Sequence, residues 1–117
     1  MATGTINVMT NESGSYYCKM PDGTLICWGG GAYTPDSSTG TAWGNLYYYA
    51  VSVGIPFPIE FISDPQVVVS RRGGKEGMVS WATWNTQKIT TIDIASGASS
   101  ITSGTFNIAW IAIGRWK

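Results

Sequence analysis

Short runs of alternating apolar and polar residues recur along the chain, and a period of two is typical of β-strands with one buried face. The longest run covers residues 45–61. Its members of one parity are all large and apolar: Tyr47, Tyr49, Val51, Val53, Ile55, Phe57, Ile59 and Phe61. On the other parity lie Pro56 and Pro58. Because proline has no N–H for a strand ladder, they predict an edge, a bulge or a bend between strands.

The clearest predicted hairpin joins residues 15–20 to residues 24–29 through the turn Pro21-Asp22-Gly23. In such a turn proline presets φ, aspartate hydrogen-bonds its own backbone and glycine adopts a positive φ. Residues 29–44 then hold five glycines and show no apolar alternation. This composition predicts a long loop with Trp43 near its end.

No window has the period of an amphipathic helix, and further strands are predicted over residues 66–70, 78–84, 88–94 and 105–115. We therefore predict an all-β protein, a small antiparallel β-sandwich of about seven or eight strands over residues 15–117. Residues 1–14 are small and polar without a clear period. They are predicted to be a leader segment whose order depends on a neighbour.

The final predicted strand is apolar on both faces, the second of which consists of Ala109, Ile111 and Ile113. In a two-sheet sandwich only one face of each sheet is internal, so this second face needs other cover. We predict that another copy of the chain covers it, because most oligomers are symmetric homo-oligomers. The alternative is a monomer whose own loops fold over the face.

Charge is scarce, since the 117 residues include 7 Lys+Arg, 7 Asp+Glu and no His, with net charge zero. Without an excess of cations, neither nucleic acid nor an anionic membrane surface is an expected partner. The absence of histidine excludes Ser-His and Cys-His catalysis and histidine metal sites. No apolar run approaches the ~18 residues that cross a bilayer. We therefore expect a soluble chain made in the cytoplasm, with no membrane insertion.

The two cysteines, Cys18 and Cys27, flank the predicted hairpin turn. They cannot form a four-ligand zinc site, and we interpret them as reduced structural thiols, with pairing across the hairpin as the alternative. No cofactor or metal is expected. Of the carboxylates, Asp22, Asp64 and Glu76 have explanations as turn residues, and no pair shares one strand face. No catalytic residue is predicted, although distant loops could still assemble a glycosidase pair.

Three segments together resemble a known family. Residues 17–29 resemble the "K-x-P-(N/D)-G-x-x-x-x-W-G" hairpin that opens the receptor-binding C-terminal domain of many phage tail fibres. Residues 53–61 are similar to that family's strand ending in "F-P-I-x-F", and residues 106–114 to its closing "W-I-A-I-G" strand. The order and spacing agree over residues 17–114. The second half also resembles, more faintly, the H-type lectins, through "W-I-A-I" and a "P-x-V" strand at residues 65–67.

The resemblance implies a β-sandwich that forms a homotrimer at the distal tip of a virion tail fibre, made in the host cytoplasm. Its implied partner is a bacterial surface receptor, with glycan as the expected ligand. The sequence departs from the family's usual context because no long shaft precedes the domain, so it is either a fragment or a short tip or stand-alone protein, and residues 1–14 would be what remains of the fibre junction. Glu60 replaces a usually small residue. Two alternatives stay open: a purely structural trimerisation knob, and a depolymerase tip.

Five residues are the candidate receptor or carbohydrate contacts: Trp43, Arg71, Arg72, Trp81 and Trp84. Indole faces stack on the apolar face of a sugar, and guanidinium groups hydrogen-bond acidic or hydroxylated glycans. Trp43 lies between Gly40 and Gly44 at the end of the predicted loop, and its alternative role is packing over the core edge. Strand alternation places Trp81 and Trp84 on opposite faces, so at most one is fully buried. For Arg71 and Arg72 the alternative is a solvated hairpin tip.

Overall fold

The computed structural model describes residues 7–10, 15–74, 77–100 and 105–117. These ranges contain nine β-strands and no helix, so no helix able to span a membrane occurs in them. The strands are β1 (Asn7–Thr10), β2 (Tyr16–Lys19), β3 (Thr24–Tyr33), β4 (Thr41–Trp43), β5 (Leu46–Pro56), β6 (Gln66–Gly74), β7 (Met78–Trp84), β8 (Lys88–Ser96) and β9 (Phe106–Arg115). The all-β prediction is confirmed.

The strands form two antiparallel sheets. The five-stranded sheet has the order β1-β2-β3-β9-β6, and the four-stranded sheet has the order β4-β5-β8-β7. This is the small β-sandwich that the sequence predicts. The strand count slightly exceeds the expected seven or eight, because the short strands β1 and β4 come from segments predicted as leader and loop.

The core lies between the two sheets and is apolar. Within the predicted row of residues 45–61, Tyr49, Val51, Ile55, Phe57 and Phe61 are buried. They pack with buried side chains of the other strands, which are Leu25, Cys27, Ile89, Ile92, Ile94, Phe106, Ile108, Trp110 and Ala112. Burying one large side chain of this kind contributes roughly 1.5–3 kcal/mol. The alternation along β5 therefore does determine which of its faces is internal.

The proline-rich segment after β5 contains both a bulge and a strand end. The β5–β8 register shifts between Ser52 and Ile55, where Gly54 has φ +51°. The strand ends at Pro56, and the next backbone amide, Phe57 N–H, donates to the Gln87 carbonyl at 2.8 Å. The chain then leaves the sheet, as the prolines predict.

The β2–β3 hairpin has the predicted turn. Gly23 has φ +102° and its N–H donates to the Met20 carbonyl at 3.0 Å, while Asp22 Oδ1 accepts from Thr24 N–H at 2.8 Å. Cys18 and Cys27 are both buried and free. In the strand register Tyr17 pairs with Cys27, so these two side chains share one face of the hairpin. Cys18, the next residue along β2, lies on the opposite face from Cys27. The two thiols are therefore not bonded across the hairpin.

The predicted long loop over residues 29–44 is wrong in extent. Strand β3 continues to Tyr33, and β4 begins at Thr41, so only residues 34–40 connect them. Asp36 fixes this connection to β5, because its carboxylate accepts from Ser52 Oγ at 2.7 Å and from Ser52 N–H at 3.0 Å. Trp43 is thus a strand residue and not a loop residue.

Part of the predicted leader has a partner within the chain. Strand β1 pairs with β2, with Val8 opposite Cys18 and Thr10 opposite Tyr16. The rest of the leader, residues 1–6 and 11–14, lies outside the described residues.

Candidate functional site

A cavity of about 300 Å³ lies on the outer side of the four-stranded sheet. It is lined by Trp43, Tyr48, Ser80, Trp81 and Asp93, so all four strands of the sheet contribute. We call it the Trp43–Trp81 cavity. Its volume is at the lower end of the range for small-molecule sites, which suits a small ligand or the end of a longer one.

A β-bulge in β7 turns Trp81 towards the cavity. In the β7–β8 register, Val79 pairs with Ile94 and Trp81 pairs with Asp93, which leaves Ser80 as the additional residue. Regular alternation along residues 78–84 predicts Val79 and Trp81 on one face, and this prediction is wrong across the bulge. Val79 packs against the core, whereas Trp81 is 63% exposed. Ser80 Oγ donates to the Asp93 carbonyl at 3.1 Å and so fastens the bulge to β8.

Trp43 reaches the cavity from the opposite edge of the sheet. It is the last residue of β4, and its partner Leu46 opens β5, so only Gly44 and Asn45 form the turn. Gly44 has φ +61°, and glycine is the favoured residue at the first central position of such a tight hairpin. The short turn holds the indole, which is 58% exposed, on a strand end.

Asp93 supplies the charge in the cavity. It lies on β8, an inner strand of the sheet, and is half-buried. Burial raises the pKa of its carboxyl group. No described residue donates a hydrogen bond to the Asp93 carboxylate or forms an ion pair with it, so nothing among these residues lowers that pKa. The Asp93 carboxylate is therefore available to accept hydrogen bonds from a ligand.

The structure thus brings together two of the five predicted contacts, Trp43 and Trp81. Sequence reasoning missed Tyr48, Ser80 and Asp93. A signal for Asp93 exists in the sequence, since it is a single carboxylate between Ile92 and Ile94 on a predicted strand. Neither a turn nor a capping role explains a charge at that position.

Arg71 and Arg72, the two predicted arginine contacts, lie on opposite faces of β6 and outside the cavity. Arg71 is half-buried, donates from Nη1 to the Gly77 carbonyl at 2.5 Å, and lies 5.4 Å from the centre of the Phe106 ring. It stabilises the connection between β6 and β7. Arg72 is exposed and lines a separate depression of about 480 Å³ with Asn107. Lys75 and Glu76, the other charges of this predicted loop, lie outside the described residues.

Trp84 is turned to the core side of β7, as its opposition to Trp81 predicts. Its indole N–H donates to the Pro65 carbonyl at 2.9 Å, and its ring packs against the core. It also borders a crevice of about 260 Å³ between β6 and β7, but it does not line the Trp43–Trp81 cavity.

The predicted interface residues Ala109, Ile111 and Ile113 share the outer face of the five-stranded sheet. Ile111 is 39% exposed, and its register partners on the neighbouring strands are Trp28 and Val68. Trp28 in turn stacks on Tyr16, with ring centres 5.7 Å apart. We call these side chains the outer apolar row, which comprises Tyr16, Trp28, Val68, Ala109, Ile111 and Ile113. A contiguous apolar surface of this kind is typical of an interaction site.

The described residues contain no group of three or more cysteine and carboxylate side chains that could hold a metal ion. The Trp43–Trp81 cavity offers aromatic faces for stacking, together with hydroxyl and carboxylate oxygens for hydrogen bonds.

No family model and no curated protein matches the chain. Two solved structures share its fold. The R1 pyocin fibre of P. aeruginosa, comprising C-terminal residues 323–701, aligns with a TM-score of 0.56 at 18% identity, covering 92% of this chain and 28% of that fragment. The R2 pyocin fibre, C-terminal residues 323–691, aligns with a TM-score of 0.51 at 16% identity, covering 95% and 26%. The chain therefore has the fold of about a quarter of a C-terminal pyocin fibre fragment.

Proposed function

We propose that the chain is the tip domain of a phage or phage-tail-like fibre and binds a glycan of the bacterial surface through the Trp43–Trp81 cavity. The observation that carries the proposal is the cavity itself, in which two exposed indoles and a carboxylate without a partner line one concave surface. Exposed indole faces stack on sugar rings, and carboxylate oxygens accept hydrogen bonds from hydroxyl groups.

The fibre assignment rests on the fold and on the three motifs. In the structure the motif segments are mainly core: residues 53–61 supply Ile55, Phe57 and Phe61, and residues 106–114 form most of the inner strand β9. The cavity residues Trp43, Trp81 and Asp93 lie outside all three motifs. The motifs therefore support the fold, and the proposed receptor contacts lie outside them.

Self-association is the second part of the proposal, with three copies meeting through the outer apolar row. This row lies on the five-stranded sheet, whereas the Trp43–Trp81 cavity lies on the four-stranded sheet. Association through the first sheet therefore leaves the cavity accessible. Three modest sites on one rigid tip then bind a surface with high avidity.

Binding of the purified protein to envelope fractions of candidate host bacteria tests the proposal. The variants Trp43→Ala and Trp81→Ala should reduce binding at least about fivefold, because a contact that matters at an interface contributes more than about 1 kcal/mol. Met78→Ala is the matched control, since Met78 is as exposed as Trp81 at 63% but does not line the cavity. Equal loss in all three variants contradicts the assignment of the cavity.

A trimerisation knob that touches no receptor is the second candidate, and the outer apolar row favours it. The two functions differ in one observable. A knob forms trimers but binds none of the envelope fractions, and its assembly is unaffected by Trp43→Ala. A receptor-binding tip both forms trimers and binds an envelope fraction.

A further inference from the structure

We propose that the Trp43–Trp81 cavity discriminates between sugars by charge: it binds a protonated amino sugar best, a neutral sugar less well, and an acidic sugar least. This inference rests on the proposed function, because it names the class of glycan unit that the same cavity takes.

The first argument is the charge of the lining. Among the described lining residues Asp93 is the single carboxylate, and none is a lysine or an arginine. Several described cations make their contacts elsewhere: Arg71 donates to the Gly77 carbonyl, Lys19 and Lys117 lie over the Trp116 ring, and Arg115 donates to the Asp22 carbonyl. A ligand carboxylate in the cavity would therefore face Asp93 with no cation among the described lining residues to offset the repulsion.

The aromatic walls act in the same direction. The faces of Trp43, Tyr48 and Trp81 carry the negative part of the ring quadrupole, which attracts cations and C–H groups and repels anions. An ammonium group on a sugar ring gains both from these faces and from a charge-assisted hydrogen bond to Asp93. A neutral sugar keeps the stacking and an ordinary hydrogen bond.

The position of Asp93 favours this selectivity. The residue lies on an inner strand between β5 and β7, and the Ser80 Oγ bond to its carbonyl fixes the backbone beside it. Salt at physiological concentration screens a half-buried carboxylate only in part, and higher salt screens it further. Its charge therefore still acts on a ligand at physiological ionic strength.

The test compares nine multivalent probes at pH 7: glucose, galactose and mannose, each as the amino sugar, the neutral sugar and the uronic acid. Within the series that binds best, we expect the amino form to bind about tenfold more tightly than the neutral form, the lower range for a charged hydrogen bond. The uronic acid should bind more weakly than either. A uronic acid that binds as well as the neutral sugar would falsify the inference.

The variant Asp93→Asn keeps the shape of the side chain and removes its charge. It should lose most of the preference for the amino sugar and bind the uronic acid better than the native protein does. Asp64→Asn is the control, because Asp64 is exposed and lies outside the cavity. It should keep the native order of the three charge forms.

A measurement on the native protein keeps the inference testable if Asp93→Asn does not fold. Raising the salt concentration should narrow the gap between the amino and neutral forms, since that gap is electrostatic. An unchanged gap contradicts the role of Asp93. Absence of binding to all nine probes contradicts the proposed glycan function and this inference with it, whereas binding in another charge order contradicts the inference alone.

Discussion

Asp93 on β8 lies directly opposite Trp81 on β7, because the bulge at Ser80 removes one residue from the register of the two strands. A regular ladder from the Val79–Ile94 pair would instead place Ser80 opposite Asp93. Bulges often re-aim a side chain next to a functional site. Here the bulge brings an indole face and a carboxylate to the same side of one sheet.

Asp93→Asn should raise the melting temperature at pH 7. Burial raises the pKa of Asp93 in the folded protein, so the folded state holds this proton more tightly than the unfolded state does. The ionised carboxylate therefore destabilises the folded protein. As the pH rises, the destabilisation begins near the pKa of Asp93 in the unfolded chain and is complete above its pKa in the folded protein. Thermal unfolding of both proteins between pH 3 and pH 7 should show a difference that disappears at the acidic end. A variant less stable at pH 7 would refute this.

Ile111→Lys should dissociate the proposed trimer, because it places a charge in the centre of the outer apolar row. Size-exclusion chromatography with light scattering should report trimers for the native protein and monomers for the variant. Ile62→Lys is the matched control, since Ile62 is 62% exposed and lies outside that row. Native protein that is monomeric at micromolar concentration would contradict the proposed assembly.

Asp36→Ala should destabilise the protein by about 1 kcal/mol, the usual net contribution of a hydrogen bond. The hydrogen bonds from Ser52 lower the pKa of Asp36. The stability that these hydrogen bonds contribute is therefore fully present above the pKa of Asp36 in the unfolded chain. It is lost as the pH falls through the lower pKa of Asp36 in the folded protein. Denaturant titrations of Asp36→Ala, Ser52→Ala and the double variant should show strong non-additivity at pH 7. Simple additivity would mean that the two residues do not act together.

Cys27 should resist alkylation in the native protein. Burial raises the pKa of its thiol to about 11, so at pH 8 only about one thiol in a thousand is ionised. Iodoacetamide labelling of a Cys18→Ser variant, followed by mass spectrometry, isolates the reactivity of Cys27. Labelling should be slow without denaturant and should become fast after unfolding. Rapid labelling of the folded variant would show that the interior near β3 opens readily.

The glycines of β3 show why the long-loop prediction failed. A Cβ added at Gly29 would lie 3.1 Å from the Trp110 ring, and one at Gly30 would lie 2.8 Å from the Ile108 carbonyl oxygen. These glycines therefore allow β3 to pack closely against β9. From the sequence, glycine required by a neighbouring strand looks the same as glycine in a loop, because the neighbour is about eighty residues away.

The alternation of residues 47–61 and the Pro21-Asp22-Gly23 turn predict an antiparallel β-sandwich without the structure, because both signals act between residues close in the chain. The sequence also indicates Trp43, next to Gly44, and Trp81, opposite Trp84 on its strand, as candidate contacts. Only the tertiary structure places those indoles in one cavity with Asp93 and places the Arg71 side chain over the Phe106 ring. That outcome depends on strand order, on the register of β7 against β8 and on one bulge, which are set by packing between distant segments.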